Sequence, residues 1–425
     1  MNSMINIKFH YILIFLIIAG FSKNKTQKSD SEIKETIDFF PRGNLVLERV
    51  FGSEASDTKE KYLLCRNTAL FAGRNYNCGN NITGDILLVD YESATSSNGR
   101  ILVFDKNCNG KLILGSAGFG PGEFGQGKIP KIFSGPNGYI AILSGVPENP
   151  DINLFSPGYK LLYKKKPFFD VKIKDFVNNY FSKDIYRFNI EHFVPISKDS
   201  VVFDLLYRKI YKSINKIDSI VQYCSIILYS KNNIQELKIL KDANIFISKN
   251  DDAITNFGYF FWNITSNNKL VYITTDEEIN VNDTETYFFI NVKSIENGNT
   301  KIIKILCNTP DKYKPQKPEY NPFISKNTEL FNELSQKLVK RIYDPAVFRM
   351  FVDNKFAFFY TKLGPSKPIT TYVINLETET IVYKFTMNSN YSYWIWNGYL
   401  YNLSEDKYGY YVIKKYKINP AVYGK

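Results

Sequence analysis

Hydrophobic residues in this chain fall in short runs of a few positions, separated by clusters of Gly, Asn, Asp, Ser and Pro. Short apolar or alternating runs between turn residues predict strands, not helices. Asp85–Asp90 (DILLVD), Arg100–Asp105 (RILVFD) and Lys111–Gly115 (KLILG) form one group of three. Tyr139–Ser144 (YIAILS), Ile152–Phe155 (INLF) and Leu161–Lys165 (LLYKK) form the next, aligned with the first at an offset of roughly 50 residues, which is the spacing of propeller blades. Weaker copies follow at Ser200–Leu240, Gly258–Ile305, Phe348–Phe385 and Tyr393–Ile418.

The last copy offers only three strands, Tyr393–Trp396, Tyr399–Leu403 and Tyr410–Tyr416, while an isolated strand, Leu45–Val50, stands near the start. A ring of blades closes by completing its last sheet with a strand from the other terminus, because an open edge would otherwise be exposed. One segment has helical spacing. Asn327 can cap it, Leu330, Phe331, Leu334, Leu338 and Ile342 share a face, and Pro345 ends it. The expected fold is therefore all-β, a six-bladed β-propeller over 44–425, with the N-terminal strand closing the last blade and one inserted helix near 327–344.

The N-terminus has a different pattern. Lys8 precedes an apolar run, Phe9–Ala19, broken only by His10, and Gly20 leads into the polar segment Ser22–Glu35. This is the layout of a signal peptide over 1–22 followed by a polar linker over 23–43, and the run is shorter than the about 20 residues of a membrane span. No later segment is apolar enough to span a bilayer, so no transmembrane domain is expected in the mature chain. Ile18, Ala19 and Gly20 read like a lipobox, but Phe21 stands where lipidation requires a Cys thiol. The expected location is thus the periplasm or the cell envelope or surface, without a lipid anchor, after cleavage near Gly20–Ser22 or with the segment retained.

Composition sharpens the picture in three ways. The 31 Tyr and 33 Phe among 425 residues suit large, side-chain-filled sheets. The net charge of +12 is diffuse; its densest clusters, Lys164–Lys166 and Lys414–Lys417, lie beside strand aromatics and read as solvated faces and edge protection. No nucleic-acid-binding motif accompanies them, so nucleic acid is not an expected partner. Five cysteines (65, 78, 108, 224 and 307) form no C-x-x-C pair, which argues against metal or redox use; a Cys65–Cys78 disulfide is one option and incidental thiols the other.

The stretch Gly115–Gly127 (GSAGFGPGEFGQG) holds the highest density of glycine. A phosphate loop needs Lys then Ser or Thr after its last Gly and a helix beyond, whereas Lys128, Ile129 and Pro130 follow here. The stretch reads instead as an inter-blade turn: Pro121 fixes one φ, glycines supply unusual conformations, Phe124 plugs into the core, and Glu123 bonds to nearby backbone amides. An FD-ended strand, a turn, a closing strand and then Gly118, Gly120, Pro121, Gly122, Glu123 and Phe124 resemble the signature of six-bladed β-propeller proteins of Bacteroidetes cell envelopes, NHL-like and often described as lipoproteins. The resemblance is clearest over Asp85–Tyr163, and Asn397–Leu403 with Val412–Ile418 is similar to that family's closing blade. It implies a propeller fold and an envelope location and assigns no catalytic residue. The missing lipobox Cys and irregular central blades depart from the pattern.

Candidate chemistry is sparse. Asp105, Asn107, Asn109 and Gly110 imitate half of an EF-hand loop, but the twelfth position is Ser116, not Glu, and Asn109-Gly110 is a hairpin signal. His192 is the single histidine beyond the N-terminal segment, so His-based triads and multi-His metal sites lack material. Asp90, Glu123, Asp204 and Asp353 are the carboxylates that could build an oxygen-only Ca²⁺ site if blades bring them together. The aromatics Tyr393, Trp394, Trp396 and Trp262 are the candidate ligand contacts, since aromatic faces stack on sugars and peptides. Two readings remain open at this level. One is a monomeric, non-enzymatic binding scaffold for a protein, peptide or glycan; the other is a propeller hydrolase or lyase with a carboxylate-bound divalent cation in its channel. Carboxylates converging on the axis favour the enzyme, and aromatic with neutral polar lining favours binding.

Overall fold

The computed structural model describes residues 40–425 apart from 42, 55–58, 60–61, 65–77, 81–82, 92–98, 117–122, 125–129, 147–148, 166–184, 212–218, 231–232, 241–244, 248–252, 257–259, 275–278, 282–285, 308–346, 362–367 and 388–392. An initial strand, β1 (Leu45–Phe51), is followed by six antiparallel sheets. Blade 1 holds β2 (Cys78–Asn80), β3 (Ile86–Tyr91), β4 (Gly99–Phe104) and β5 (Gly110–Ser116). Blade 2 holds β6 (Lys131–Ser134), β7 (Ile140–Val146), β8 (Asn149–Phe155) and β9 (Leu161–Lys165). Blade 3 is built from β10 (Ile185–Pro195), β11 (Ser200–Tyr211), β12 (Ser219–Ser230) and β13 (Asn233–Leu240), extended by β14 (Ile245–Ile247) and β15 (Ala253–Asn256). Blade 4 has β16 (Phe260–Ile264), β17 (Lys269–Thr274), a short β18 (Ile279–Val281), β19 (Thr286–Ser294) and β20 (Thr300–Cys307). Blade 5 comprises β21 (Val347–Asp353), β22 (Phe356–Thr361), β23 (Ile369–Asn375) and β24 (Thr380–Met387), and blade 6 comprises β25 (Tyr393–Trp396), β26 (Tyr399–Glu405) and β27 (Tyr411–Ile418).

The innermost strands β2, β6, β16, β21 and β25 and the third blade's β10 form the ring: β2 touches β6, β6 touches β10, β16 touches β21, β21 touches β25, and β25 returns to β2. Blades 3 and 4 join through Val194, Val202 and Ile226 packed against Trp262, Leu270 and Tyr272. The fold is the expected six-bladed propeller. β1 pairs with β27, outermost in the order β1-β27-β26-β25, so the N-terminal strand completes the last blade as anticipated. The predicted helix near 327–344 lies outside the described residues. Among the described residues, no helix is long and apolar enough to cross a membrane.

Two-sided burial explains the apolar runs. Leu87 and Val89 of β3 pack with Ile132, Ile140 and Ile142 of blade 2, while their neighbours Ile86 and Leu88 are equally buried on the opposite face. A strand buried on both faces has no polar alternation to keep. Outermost strands recover it: β5 and β24 alternate exposed and covered positions.

Three sequence expectations are corrected. The short innermost strands β2 and β6 escaped the repeat pattern because three or four residues carry too little periodicity. The third blade begins at β10, ahead of the anticipated Ser200, and its β11–β12 hairpin keeps register from Ser200↔Ser230 to Tyr211↔Ser219, longer than any other. Lys414–Lys417 is not edge protection, since β27 is paired on both sides. Lys415 is only 7% exposed; its ammonium donates to the Lys106 carbonyl at 2.8 Å, faces Glu48 and sits 4.1 Å over the Tyr399 ring.

One turn recurs. In Asp105–Asn109, Gly135–Tyr139, Ser156–Lys160, Thr265–Lys269 and Asp406–Tyr410, the first residue's N–H donates to the fifth carbonyl and the fourth N–H to the first carbonyl. The fourth residue is left-handed each time: Cys108, Gly138, Tyr159, Asn268 and Gly409. Asp105 and Asp406 accept two backbone N–H bonds each, and Ser156 and Thr265 accept one, so the first side chain locks the turn. The EF-hand imitation is therefore a hairpin, with the positive φ on Cys108, one residue before Asn109. Cys108 is a buried free thiol, and burial pushes its pKa up to about 11. Of the glycine-rich stretch, Phe124 is fully buried between blades 1 and 2, its N–H bonded to the Ser116 carbonyl. The Glu123 carbonyl accepts from Asn153 Nδ2 and Lys164 Nζ. Gly118, Gly120, Pro121 and Gly122 lie outside the described residues.

β1 is exposed over Val46–Arg49 and half-buried at Leu45 and Val50; its anchor is Phe51, which is 1% exposed and lies 4.8 Å from the Phe104 ring of blade 1. Phe51→Ala is expected to lower unfolding free energy by about 3–5 kcal/mol in urea titrations, whereas Val46→Ala on the same strand should change it by under about 0.5 kcal/mol. Equal effects would show that the ladder, not the anchor, holds the closure.

Candidate functional site

The innermost strands turn into the second strands at one end of the axis, and there a cavity of about 430 Å³ opens. Five blades line it: β6 and its turn, β10 with Asp204 of β11, and β16, β21 and β25 with their turns. Gly135 permits the close approach of blades 2 and 3, because a Cβ there would sit 1.6 Å from the Pro195 carbonyl oxygen. Asn137, in the same turn, donates to the Ile196 carbonyl at 2.9 Å and ties the wall together.

The buried part of the lining is aromatic. All three tryptophans of the chain, Trp262, Trp394 and Trp396, reach the cavity. Trp394 is stacked on Tyr401 at 5.0 Å, with an interplanar angle of 13°. Trp262 donates its indole N–H to Asp204 Oδ2 at 3.0 Å and packs 4.2 Å from the His192 ring. Tyr393, grouped with the tryptophans by sequence, does not line the cavity. It is 1% exposed, faces Phe351 and Tyr360 of blade 5, and donates to Met387 Sδ at 3.9 Å.

The exposed part is neutral and polar. Asn137, Ser266, Asn354 and Asn397 come from the turns of blades 2, 4, 5 and 6, with Asn263 beside them on β16. Asn354 Nδ2 donates to Asn397 Oδ1 at 3.2 Å, bridging blades 5 and 6. Sequence reasoning missed these residues because Asn in a turn has a local explanation: Asn354 and Asn397 occupy left-handed φ of 56° and 47°. Only their shared position around the axis distinguishes them, and a single sequence holds no signal for that.

The carboxylates of Asp204, Asp353 and Asp90 are separately engaged. Asp204 Oδ1 accepts the His192 backbone N–H at 2.7 Å while Oδ2 holds Trp262. Asp353 accepts from the backbone N–H groups of Asn397 and Gly398 and from the Tyr423 hydroxyl, and burial raises its pKa despite these donors. Asp90 pairs with Arg100 at 2.8 Å, and that guanidinium also donates to the Leu63 carbonyl. Glu123 is tied to blade 2 through its backbone carbonyl, which accepts from Asn153 and Lys164. Among the described residues, no three His, Cys, Asp or Glu side chains gather as metal ligands do. His192 lines the cavity between the rings of Phe133 and Trp262; burial, reinforced by the charge of Lys131, holds its imidazole down to about 3.

No protein-family model matches the chain, and no curated protein matches it significantly. Among solved structures, it is similar to a member of the DUF4221 family from Bacteroides vulgatus at 11% identity and a TM-score of 0.45, over 88% of this chain and 98% of that one. It is also similar to the β-propeller domain of the Trilobed protease from Pyrococcus furiosus, at 8% identity and a TM-score of 0.36, over 80% and 79% of the two chains. Oligogalacturonate lyase from Vibrio parahaemolyticus gives 8% identity and a TM-score of 0.36, over 81% and 91%. Likenesses this distant do not bear on what the cavity binds.

Two measurements probe the wall. Asp204→Ala leaves two buried donors without their acceptor and is expected to cost about 1–3 kcal/mol of stability and to shift tryptophan emission to the red; unchanged emission would show that Trp262 is held by other contacts. His192 has a folded pKa near 3, below its ordinary 6.5, so the unfolded chain binds more protons between those values. Stability should fall as pH drops from 6.5 towards 3, with a slope of up to about 1.4 kcal/mol per pH unit from this group. The difference between wild type and His192→Phe isolates that slope, and a pH-independent difference would refute it.

Proposed function

We propose that this protein is a non-enzymatic envelope scaffold that binds a ligand in the axial cavity of its propeller. The observation that carries the reading is the lining: three tryptophans, four asparagines and a single carboxylate, already engaged by two N–H donors. Pockets of about 300–1,000 Å³ lined by aromatics with a few polar groups are the usual form of a small-ligand site, and about 430 Å³ lies in that range. A hydrolase or lyase working through a bound divalent cation needs several carboxylates at the axis, and the described lining offers Asp204 alone. The signal-peptide layout of the first residues supports export, and Phe21 in place of a lipobox Cys supports a form without a lipid anchor.

In this reading the blades act as fixed walls. The ligand is a peptide, a glycan or an exposed segment of a partner protein, received by preformed side chains, which limits the entropy lost on binding.

Ser266 is exposed at the rim, in a turn position with ordinary φ, so Ser266→Trp should narrow the mouth without disturbing the fold. In a thermal-shift screen of peptides and glycans, a ligand at a hundred times its Kd should stabilise the wild type by about 2.7 kcal/mol. The plugged variant, with its own unfolding midpoint unchanged, should lose that response. Equal stabilisation of both proteins would place binding elsewhere and sink the proposal.

A further inference from the structure

We infer that the ligand of the axial cavity is a neutral saccharide, entering by one end of its chain. The inference rests on the binding reading above and adds the chemical class.

Charge is the first discriminator. The chain carries a net charge of +12, yet among the described residues no Lys, Arg or Glu lines the cavity, and its one carboxylate, Asp204, is already held by two N–H donors. An acidic sugar, a phosphorylated group or an acidic peptide side chain would lose its hydration there without meeting an opposite charge, and a basic side chain would have to compete with the two N–H donors that already hold Asp204. The ligand that fits is uncharged.

Hydrogen-bonding capacity is the second. Each lining asparagine has one end fixed by the protein and the other left over. Asn137 and Asn354 spend Nδ2 on protein acceptors and keep Oδ1, whereas Asn263 and Asn397 spend Oδ1 on protein donors and keep Nδ2. Two acceptors and two donors thus stand around the axis on blades 2, 5, 4 and 6, with the Ser266 hydroxyl among them. Hydroxyl groups both donate and accept, so a polyol satisfies such a mixed ring in many orientations. A peptide backbone instead offers its N–H and C=O groups along a line, in a fixed alternation that matches a strand edge better than a ring of turns.

Shape is the third. Trp262 and Trp394, each 6% exposed, share the lining with these amides, a combination that suits a ring with an apolar C–H face and hydroxyls at its perimeter. A volume of about 430 Å³ admits the end of an oligosaccharide and excludes a folded partner.

The test uses the full-length protein and a panel of neutral gluco-, galacto- and manno-oligosaccharides, with uncharged peptides and an acidic polysaccharide as contrasts. Because every tryptophan of the chain lines the cavity, occupancy is read directly from intrinsic emission. Saturable change with a neutral saccharide, insensitive to salt, is the expected result. Asn263→Ala and Trp396→Ala, measured by calorimetry at a temperature where each variant is folded by its own unfolding curve, should each weaken binding about tenfold. Asn354 and Asn397 are avoided as probes because their positive φ would strain a replacement. If uncharged peptides saturate the change and no saccharide does, the saccharide assignment falls and the cavity remains a binding site. If the acidic polysaccharide alone binds, with affinity lost in salt, the assignment also falls, and the basic surface is the cause. Emission unmoved by every class overturns both readings.

Discussion

The ladder between β1 and β27 is the constraint on which the rest depends. A propeller is a closed ring of wedges, and the last wedge here lacks its fourth strand until residues from the other end of the chain supply it. The closure is fastened to the blades on both sides. Phe51 packs on Phe104 of blade 1, Phe40 packs on Phe385 of blade 5, and Asn44 donates to the Tyr383 hydroxyl. The C-terminus contributes as well: the Asn419 N–H bonds to the Asn44 carbonyl, and the Tyr423 hydroxyl reaches Asp353 in blade 5. Phe40, Asn44 and Phe51 and, at the C-terminus, Asn419 and Tyr423 are thus locked into the same seam.

Closure gives the axis its geometry. Each blade buries both faces against its neighbours, so an innermost strand can move only if two interfaces move with it. The cavity walls inherit that fixity, and polar links across blades refine it. Asp204 ties blade 3 to Trp262 of blade 4, Asn354 ties blade 5 to Asn397 of blade 6, and Asp85, between Lys111 and the Tyr159 hydroxyl, ties blade 1 to blade 2. Burial alone would raise the Asp85 pKa, but its three side-chain donors outweigh burial and hold the carboxyl low.

These carboxylates show why acidic residues in a sequence are poor guides to chemistry. Asp90, Asp204 and Asp353 each satisfy donors that the fold leaves at a blade seam or turn, a structural use of the charge. The neutral amides at the rim have the opposite property: half of each carboxamide serves the fold, and the residue still belongs to the cavity wall.

Much of the fold was legible in the sequence. The apolar runs, their repeat at blade spacing, the isolated Leu45–Val50 strand, the missing fourth strand of the last blade and the buried Phe124 are local or periodic signals, and two-sided burial writes them directly into residue types. The innermost strands Cys78–Asn80 and Lys131–Ser134 were not legible because so few residues carry no period, and Lys415 was misread because its burial depends on β1 covering its strand. Tryptophan at 262, 394 and 396 was visible as a candidate, but Tyr393 beside them was not separable from its neighbours. Sequence determined which segments become strands and how many blades they make, because those follow from short-range pattern. Only the tertiary structure decided which turns meet at the axis and which side chains face it, because residues of blades 2 to 6, far apart along the chain, are brought together by ring closure alone.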